Sequence, residues 1–311
     1  MLKSATGTIW ERGYVKNGLP ITGKKVVVAG SGPLLLAVAA CLRQHGGDVR
    51  MIAEQVPWSR LMSFATALLS HPTKALQAMQ LKLGLASVPY RTGCWPVSAQ
   101  GEGKLERVTL HTGQRTLQVE CDYLACGFHL APNVELAVLL GCELRDGCVR
   151  VDEMQQTSVA GIYCAGEPTG IGGLELSLAE GEVAGYAAAG QQAKAHARLG
   201  ERAKWAQFAR RLEQTFALRE ELKSLALADT VVCRCEDVPL GRVREHHSWR
   251  AAKLQTRCGM GPCQGRICGA AIEFLLGWKM DSVRPPVFPA RLESLTAGAK
   301  MRPRSRTEER S

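Results

Sequence analysis

Residues 24–54 write a strand, a glycine turn, a helix and a second strand in one unbroken run. KKVVVAG is the short apolar stretch of a buried strand, GSGPLLLAVAACLRQHG a turn and helix, and DVRMIAE a second strand ending in an acid. A βαβ unit of this kind commits the chain to an α/β fold around a parallel sheet. Gly30-Ser31-Gly32-Pro33-Leu34-Leu35 falls between strand and helix, where a dinucleotide fingerprint belongs. Two glycines permit a tight turn and let a pyrophosphate approach the helix N-terminus. Leu35 stands where G-x-G-x-x-G has its third glycine, and Glu54 closes the second strand where an acid would bond a ribose hydroxyl. Gly30, Gly32, Pro33 and Glu54 are therefore candidate contacts for NAD(P) or a related adenine nucleotide. The competing reading is a Rossmann-type domain that has lost its nucleotide.

Helices are expected near 57–69 and 72–84, the second opening at Pro72. Residues 86–120 alternate and carry turn glycines, which predicts a small antiparallel meander. DYLACGFHLAPN (122–133) reads as a buried strand leading into a glycine turn, and 148–165 as a further strand pair. A small-residue helix over 174–193 and a charged helical connector over 196–227 follow. A cysteine-rich module runs to about residue 280, and RPPVFP (284–289) ends it, because prolines so dense cannot continue a helix.

A chain of 311 residues holds about two domains. The N-terminal residues lack the apolar core of a secretory signal, and the longest apolar run, 34–42, falls well short of the ~20 residues that span a bilayer. The expectation is a soluble, cytoplasmic protein, with peripheral membrane association only through a larger complex. The net charge of +10 is concentrated partly in the tail 286–311, read as basic and disordered. With 5% aromatic residues and no nucleic-acid-binding motif, nucleic acid is excluded as a partner.

Five of the twelve cysteines lie between Cys233 and Cys268, as Cys-x-Cys, a gap of 22 residues, then Cys-x4-Cys-x4-Cys. In a chain of intracellular character, thiols gathered this closely point to metal rather than to disulfides. Four thiolates suit a [2Fe–2S] cluster or a zinc ion, but zinc ribbons prefer Cys-x2–4-Cys pairs, which Cys233-x-Cys235 does not match. Cys233 and Cys235 would point the same way from an extended loop. Arg234, Arg257 and Arg266 would offset the negative charge of a cluster. Spacing alone leaves Cys258, Cys263 and Cys268 as alternatives for the remaining two ligands. The other seven cysteines read as small buried hydrophobes.

A last motif, TSVAGIYCAGE (157–167) with Gly172-Gly173 and the small-residue helix, resembles the second flavin signature of the two-dinucleotide-binding flavoproteins, with Glu167 in place of the usual Asp. DYLACGFHLAPN is similar to the crossing segment of that superfamily, with Asp122, Gly127 and Pro132 in place. By that resemblance Gly127, Gly166, Glu167, Gly172 and Gly173 line one side of an FAD. His129 is the one further side chain that could approach it.

The flavoprotein core joined to CRCE…TRCGMGPCQGRIC resembles the α-type subunits of opine oxidase, D-hydroxyproline dehydrogenase and hydrogen cyanide synthase, which end in a domain similar to bacterioferritin-associated ferredoxin. The resemblance covers roughly residues 1–290. It implies a partial two-dinucleotide-binding flavoprotein: a Rossmann-like βαβ with an antiparallel meander, and a small, mostly helical [2Fe–2S] domain. The boundaries expected are 1–20 (remnant of the first FAD-binding segment), 21–130 (NAD(P)-binding-like), 131–200 (C-terminal part of the FAD-binding domain), 201–228 (connector), 229–285 (cluster domain) and 286–311 (tail). It also implies Cys233, Cys235, Cys263 and Cys268 as cluster ligands, with Cys258 a close bystander. The family's own first G-x-G-x-x-G has no counterpart before residue 20, so the FAD site is expected to be incomplete, the chain shortened at its N-terminus and flavin bound weakly or not at all. Implied partners are a flavoprotein β subunit of amine or amino-acid oxidase type and a small ferredoxin-like subunit. The function implied is electron transfer in a dehydrogenase acting on CH–NH donors; the alternative is a non-catalytic, cluster-carrying binding module.

Overall fold

The computed structural model describes residues 18–113, 115–280 and 290–297. The expectations for residues 1–17, for RPPVFP and for most of the basic tail lie outside these. Strand β1 (Lys25–Gly30), helix α1 (Leu34–Gln44) and strand β2 (Asp48–Glu54) form the βαβ unit, followed by helices α2 (Trp58–Leu68) and α3 (Pro72–Gly84). Strand β3 (Tyr90–Thr92), an antiparallel meander of β4 (Cys94–Gln100), β5 (Arg107–Thr112) and β6 (Arg115–Glu120), and strand β7 (Tyr123–Gly127) complete this part. The main sheet is parallel throughout, in the order β3-β2-β1-β7. Residues 90–92, expected in the meander, thus extend the parallel sheet instead.

Alternation along β1 assigns its two faces to two cores. Val26 and Val28 pack with Leu35, Val38, Leu42 and Ile52 beneath α1. Val27 and Ala29 pack with Cys94, Val108, Leu110 and Cys121 of the meander side. Each such fully buried aliphatic side chain contributes roughly 1.5–3 kcal/mol. Leu35 is completely buried, so the side chain that breaks the glycine fingerprint serves as a core residue under the sheet.

Helix α4 (Glu135–Leu139) and a two-residue hairpin, β8 (Leu144–Arg145) with β9 (Cys148–Val149), come next. The strand pair expected over 148–165 is reduced to that hairpin's second strand and two isolated bridges, Val151 with Thr157 and Gln156 with Tyr163. Helices α5 (Leu174–Ala188) and α6 (Gln192–Phe216) follow, with the break at Gly190, so residues 192–193 open the second helix rather than close the first. The charged connector is not free-standing. Phe208 and Phe216 of α6 hold it to Phe64 of α2, with ring centroids 5.8 and 5.3 Å apart.

The cysteine-rich region folds around a core of its own. Strands β10 (Val231–Cys233) and β11 (Val238–Pro239) pair antiparallel, and helices α7 (Leu240–Arg244), α8 (Trp249–Thr256) and α9 (Cys268–Leu276) surround them. Val238, Val243, Trp249, Ala252 and Ile272 form that core together with Cys233, Cys258 and Cys268. Ser248 caps α8 by accepting from the Ala251 N–H at 3.2 Å, and Arg257 ends it in the left-handed conformation. A last short helix, α10 (Leu292–Ala297), lies beyond. Among the described residues no helix is long and apolar enough to cross a membrane.

Candidate functional site

The glycine turn closes tightly on the neighbouring strand. A Cβ on Gly30 would lie 1.9 Å from the Gly127 carbonyl oxygen, so two of the expected cofactor glycines are needed to pack against each other. Glu54 is fully buried and accepts from the Gly32 N–H at 2.8 Å and the Val56 N–H at 3.0 Å. Burial raises its pKa to about 7, with those N–H groups and that of Gln55 holding it lower than burial alone would. The acid expected to face a ribose therefore occupies one of the turn's own donors.

The crevice in front of the turn is taken by the end of α6. The Ser31 hydroxyl donates to the Phe216 carbonyl at 2.8 Å, and the Gln55 amide donates to the Ala217 carbonyl at 3.2 Å and accepts from the Arg219 N–H at 3.3 Å. The Phe216 ring lies 3.8 Å from where a Gly32 Cβ would sit, and the Arg219 guanidinium stacks 4.4 Å above the Trp95 ring. A dinucleotide laid on Gly32 and Pro33 would have to displace Phe216 and the Glu54 carboxylate. Titration of the full chain with NADH, followed by its fluorescence, is therefore expected to show no saturable binding in the micromolar range. A micromolar Kd would show that the Phe216–Arg219 segment leaves the crevice readily. Local pattern gives no hint of this cover, because 162 residues separate Gln55 from the Ala217 carbonyl that it bonds.

The flavin-type segment is organised by a residue that belongs to no motif. Glu180, buried on α5, accepts from the Gly166 N–H and from the Thr169 hydroxyl, both at 2.8 Å. Glu167 is exposed, Gly172 is buried and Gly173 leads into α5 in the left-handed region. The one signal for Glu180 in the sequence is an acid on the apolar face of a small-residue helix. His129 is exposed.

The thiols form the densest donor group. The Cys233, Cys258 and Cys268 sulfurs are buried and lie within 4.8 Å of one another. Cys235 is exposed and Cys263 half-buried. Residues 234–237 form a turn, so Cys233 faces the core and Cys235 does not, contrary to the shared direction expected of an extended loop. Cys263 nevertheless returns to Cys235: its backbone bonds to the Cys235 sulfur, which lowers that thiol's pKa, while burial and the adjacent Cys263 thiol raise it above the ordinary value. Gly261 permits this approach, since a Cβ there would lie 2.1 Å from the Cys235 Cβ. Burial pushes the Cys233 thiol up against the opposing effect of the Gly259 N–H, which donates to its sulfur at 3.5 Å. The Cys258 thiol beside it, then burial, push the Cys268 thiol well above its usual range. The five sulfurs thus fall into a buried trio and a more accessible pair. All five are uncrosslinked, and backbone N–H groups point at two of them, which fits a thiolate-bound metal.

Two of the three nearby arginines are engaged elsewhere. Arg257 pairs with Glu236 at 2.7 Å, and Arg266 pairs with Glu135 at 2.9 Å. The second pair ties the thiol loop to α4 of the α/β body.

The parallel sheet, the glycine turn and the meander define a nucleotide-type oxidoreductase fold. Residues 11–193 match the pyridine nucleotide-disulphide oxidoreductase family, and the chain belongs to it. It is 31% identical over 286 residues to HcnB, a hydrogen cyanide synthase subunit of Pseudomonas aeruginosa, covering 82% of this chain and 61% of that protein. It is 28% identical over 311 residues to an opine oxidase subunit of Agrobacterium tumefaciens, covering 87% of this chain and 60% of that protein. The chain therefore spans about three fifths of the length of these curated relatives. In fold it is similar to L-proline dehydrogenase from P. horikoshii, with a TM-score of 0.50 at 19% identity, covering 88% of this chain and 50% of that structure.

Proposed function

We propose that this chain is the electron-transfer subunit of a hetero-oligomeric flavin and iron–sulfur dehydrogenase acting on an amine or amino acid, of opine, D-hydroxyproline or cyanide-synthase type. The observation that carries the reading is the buried trio of thiols with the Cys235–Cys263 pair beside it, on a loop that the Glu135–Arg266 ion pair joins to the oxidoreductase fold. Cys233, Cys235, Cys263 and Cys268 would hold a [2Fe–2S] cluster, and such a cluster supplies one-electron exchange when bound. The chain's own groups position and shield it: Gly259 donates to a ligand sulfur, and the apolar core around Trp249 excludes water from the buried side. A partner flavoprotein subunit would remove the electrons from the substrate, and a small ferredoxin-like subunit fits the same scheme. FAD would lie against Gly166 and α5. Such an assembly would be cytoplasmic.

The test is metal content and spectrum. Full-length protein purified anaerobically is expected to be brown, with about two irons and two acid-labile sulfides per chain. Stoichiometric zinc without iron would overturn the cluster assignment. Amine oxidation is expected only once the partner flavoprotein is present, so turnover by the chain alone would count against the relay role.

A second reading is favoured by the covered crevice. With Phe216 and Glu54 filling the nucleotide position, the chain would be a cluster-carrying binding module that takes no nucleotide. Adding the partner flavoprotein separates the two: substrate-dependent reduction of the cluster supports the relay, and a loaded cluster that stays oxidised supports the module.

A further inference from the structure

Cys258 is the thiol that the ligand set above leaves unused, yet it is one of the buried trio. It is fully buried, and its N–H is held by the Thr256 hydroxyl at 3.2 Å just past the left-handed end of α8. Among the described residues, Cys233, Cys258 and Cys268 are the only group of three potential ligands whose donor atoms converge. Sulfurs bound tetrahedrally to one metal, with bonds of about 2.3 Å, stand about 3.8 Å apart. A mutual separation within 4.8 Å therefore leaves each sulfur of the trio a small side-chain rotation from a shared metal position.

We infer that Cys258 is a reserve ligand of this metal centre, able to take the place of Cys268 or Cys233 at the buried iron. The inference rests on the iron–sulfur reading proposed above. The exchange involves no oxidation or reduction. The bond from iron to the outgoing sulfur would break, a bond to the Cys258 sulfur would form, and the Cys258 proton would pass to the released thiolate beside it. Burial favours this. Where a ligand is missing, the buried core offers no water to fill the vacant coordination position, so a neighbouring sulfur that binds the iron is preferred to an open site. Cys235 and Cys263 belong to no such converging trio among the described residues, so the inner position alone has the reserve.

The test uses the full chain and its Cys258→Ala, Cys268→Ala and Cys258→Ala/Cys268→Ala variants, each reconstituted anaerobically with ferrous iron and sulfide. Iron and labile sulfide per chain, visible circular dichroism and the electron paramagnetic resonance of the dithionite-reduced protein are read. Cys258→Ala is expected to match the wild type. Cys268→Ala is expected to keep a cluster with a shifted spectrum, and the double variant to fall to background. A Cys268→Ala protein as empty as the double variant overturns the inference, and so does loss of the cluster in Cys258→Ala, which would make Cys258 an obligatory ligand. If far-ultraviolet circular dichroism shows that Cys268→Ala does not fold, Cys233→Ala and Cys233→Ala/Cys258→Ala ask the same question at the other buried position. A wild-type chain that takes up no iron would instead refute the proposed function.

Discussion

Glu135→Ala is expected to lower stability by about 2 kcal/mol, between the worth of an exposed ion pair and the cost of breaking a fully buried one, because Arg266 keeps its bond to the Cys263 carbonyl. The side chains of Glu135 and Arg266 are only 10% and 20% exposed, so little solvent screens the charge left behind. The cost arises because Arg266 stays in place: it still donates to the Cys263 carbonyl at 3.2 Å, and its guanidinium would face the space vacated by the carboxylate. The pair also joins two separately cored units, so its loss should appear as uncoupling as well as weakening. In urea, the variant should unfold in two steps, the cysteine module first, where the wild type unfolds in a single step. The double variant Glu135→Met/Arg266→Met removes both charges and should recover most of the loss. A single-variant loss below about 1 kcal/mol would show a pair as weak as an exposed one.

How much of this is legible in the sequence depends on the distance along the chain over which each feature is decided. The βαβ unit, the helices after it and the meander are set by local periodicity and turn residues, and they form as expected. The β3 segment falls in the other sheet because a three-residue strand carries too little pattern to choose between two. The thiol site is legible as a site, since five cysteines in one segment can hardly avoid one another. Which sulfurs become neighbours is not legible, because the turn at 234–237 and the loop around Gly261 decide it. Glu180 and the Phe216–Arg219 segment escape a sequence reading for the same reason: each acts on a turn that only the tertiary fold brings near. Arg257 and Arg266 stand close to the thiols in sequence, yet each lies against a carboxylate.

Glu54 carries the second large effect, and it is one of pH. Its pKa stands at about 7 in the fold against an ordinary value of 4.5, because the carboxylate is fully withdrawn from water. Between those values the folded chain binds a proton that the unfolded chain does not. The resulting stabilisation is complete below the unfolded pKa and is lost as pH rises through the folded one. The difference in unfolding free energy between the wild type and Glu54→Gln should therefore fall by about 3 kcal/mol from about pH 4.5 to about pH 8. Taking the difference cancels the other titrating groups, and it holds whatever the amide itself costs against the Gly32 and Val56 N–H groups. Urea unfolding of both proteins across that range is the measurement, and a constant difference would show that Glu54 titrates normally. The direction also bears on function. At neutral pH the turn holds a carboxylate near its own pKa, inward-facing and bonded to the donor a pyrophosphate would need. A nucleotide could enter only by bringing that acid back toward water, where it would ionise fully. Binding at this crevice, if forced by removing Phe216, should therefore release a proton and strengthen as pH rises from about 6 to about 8.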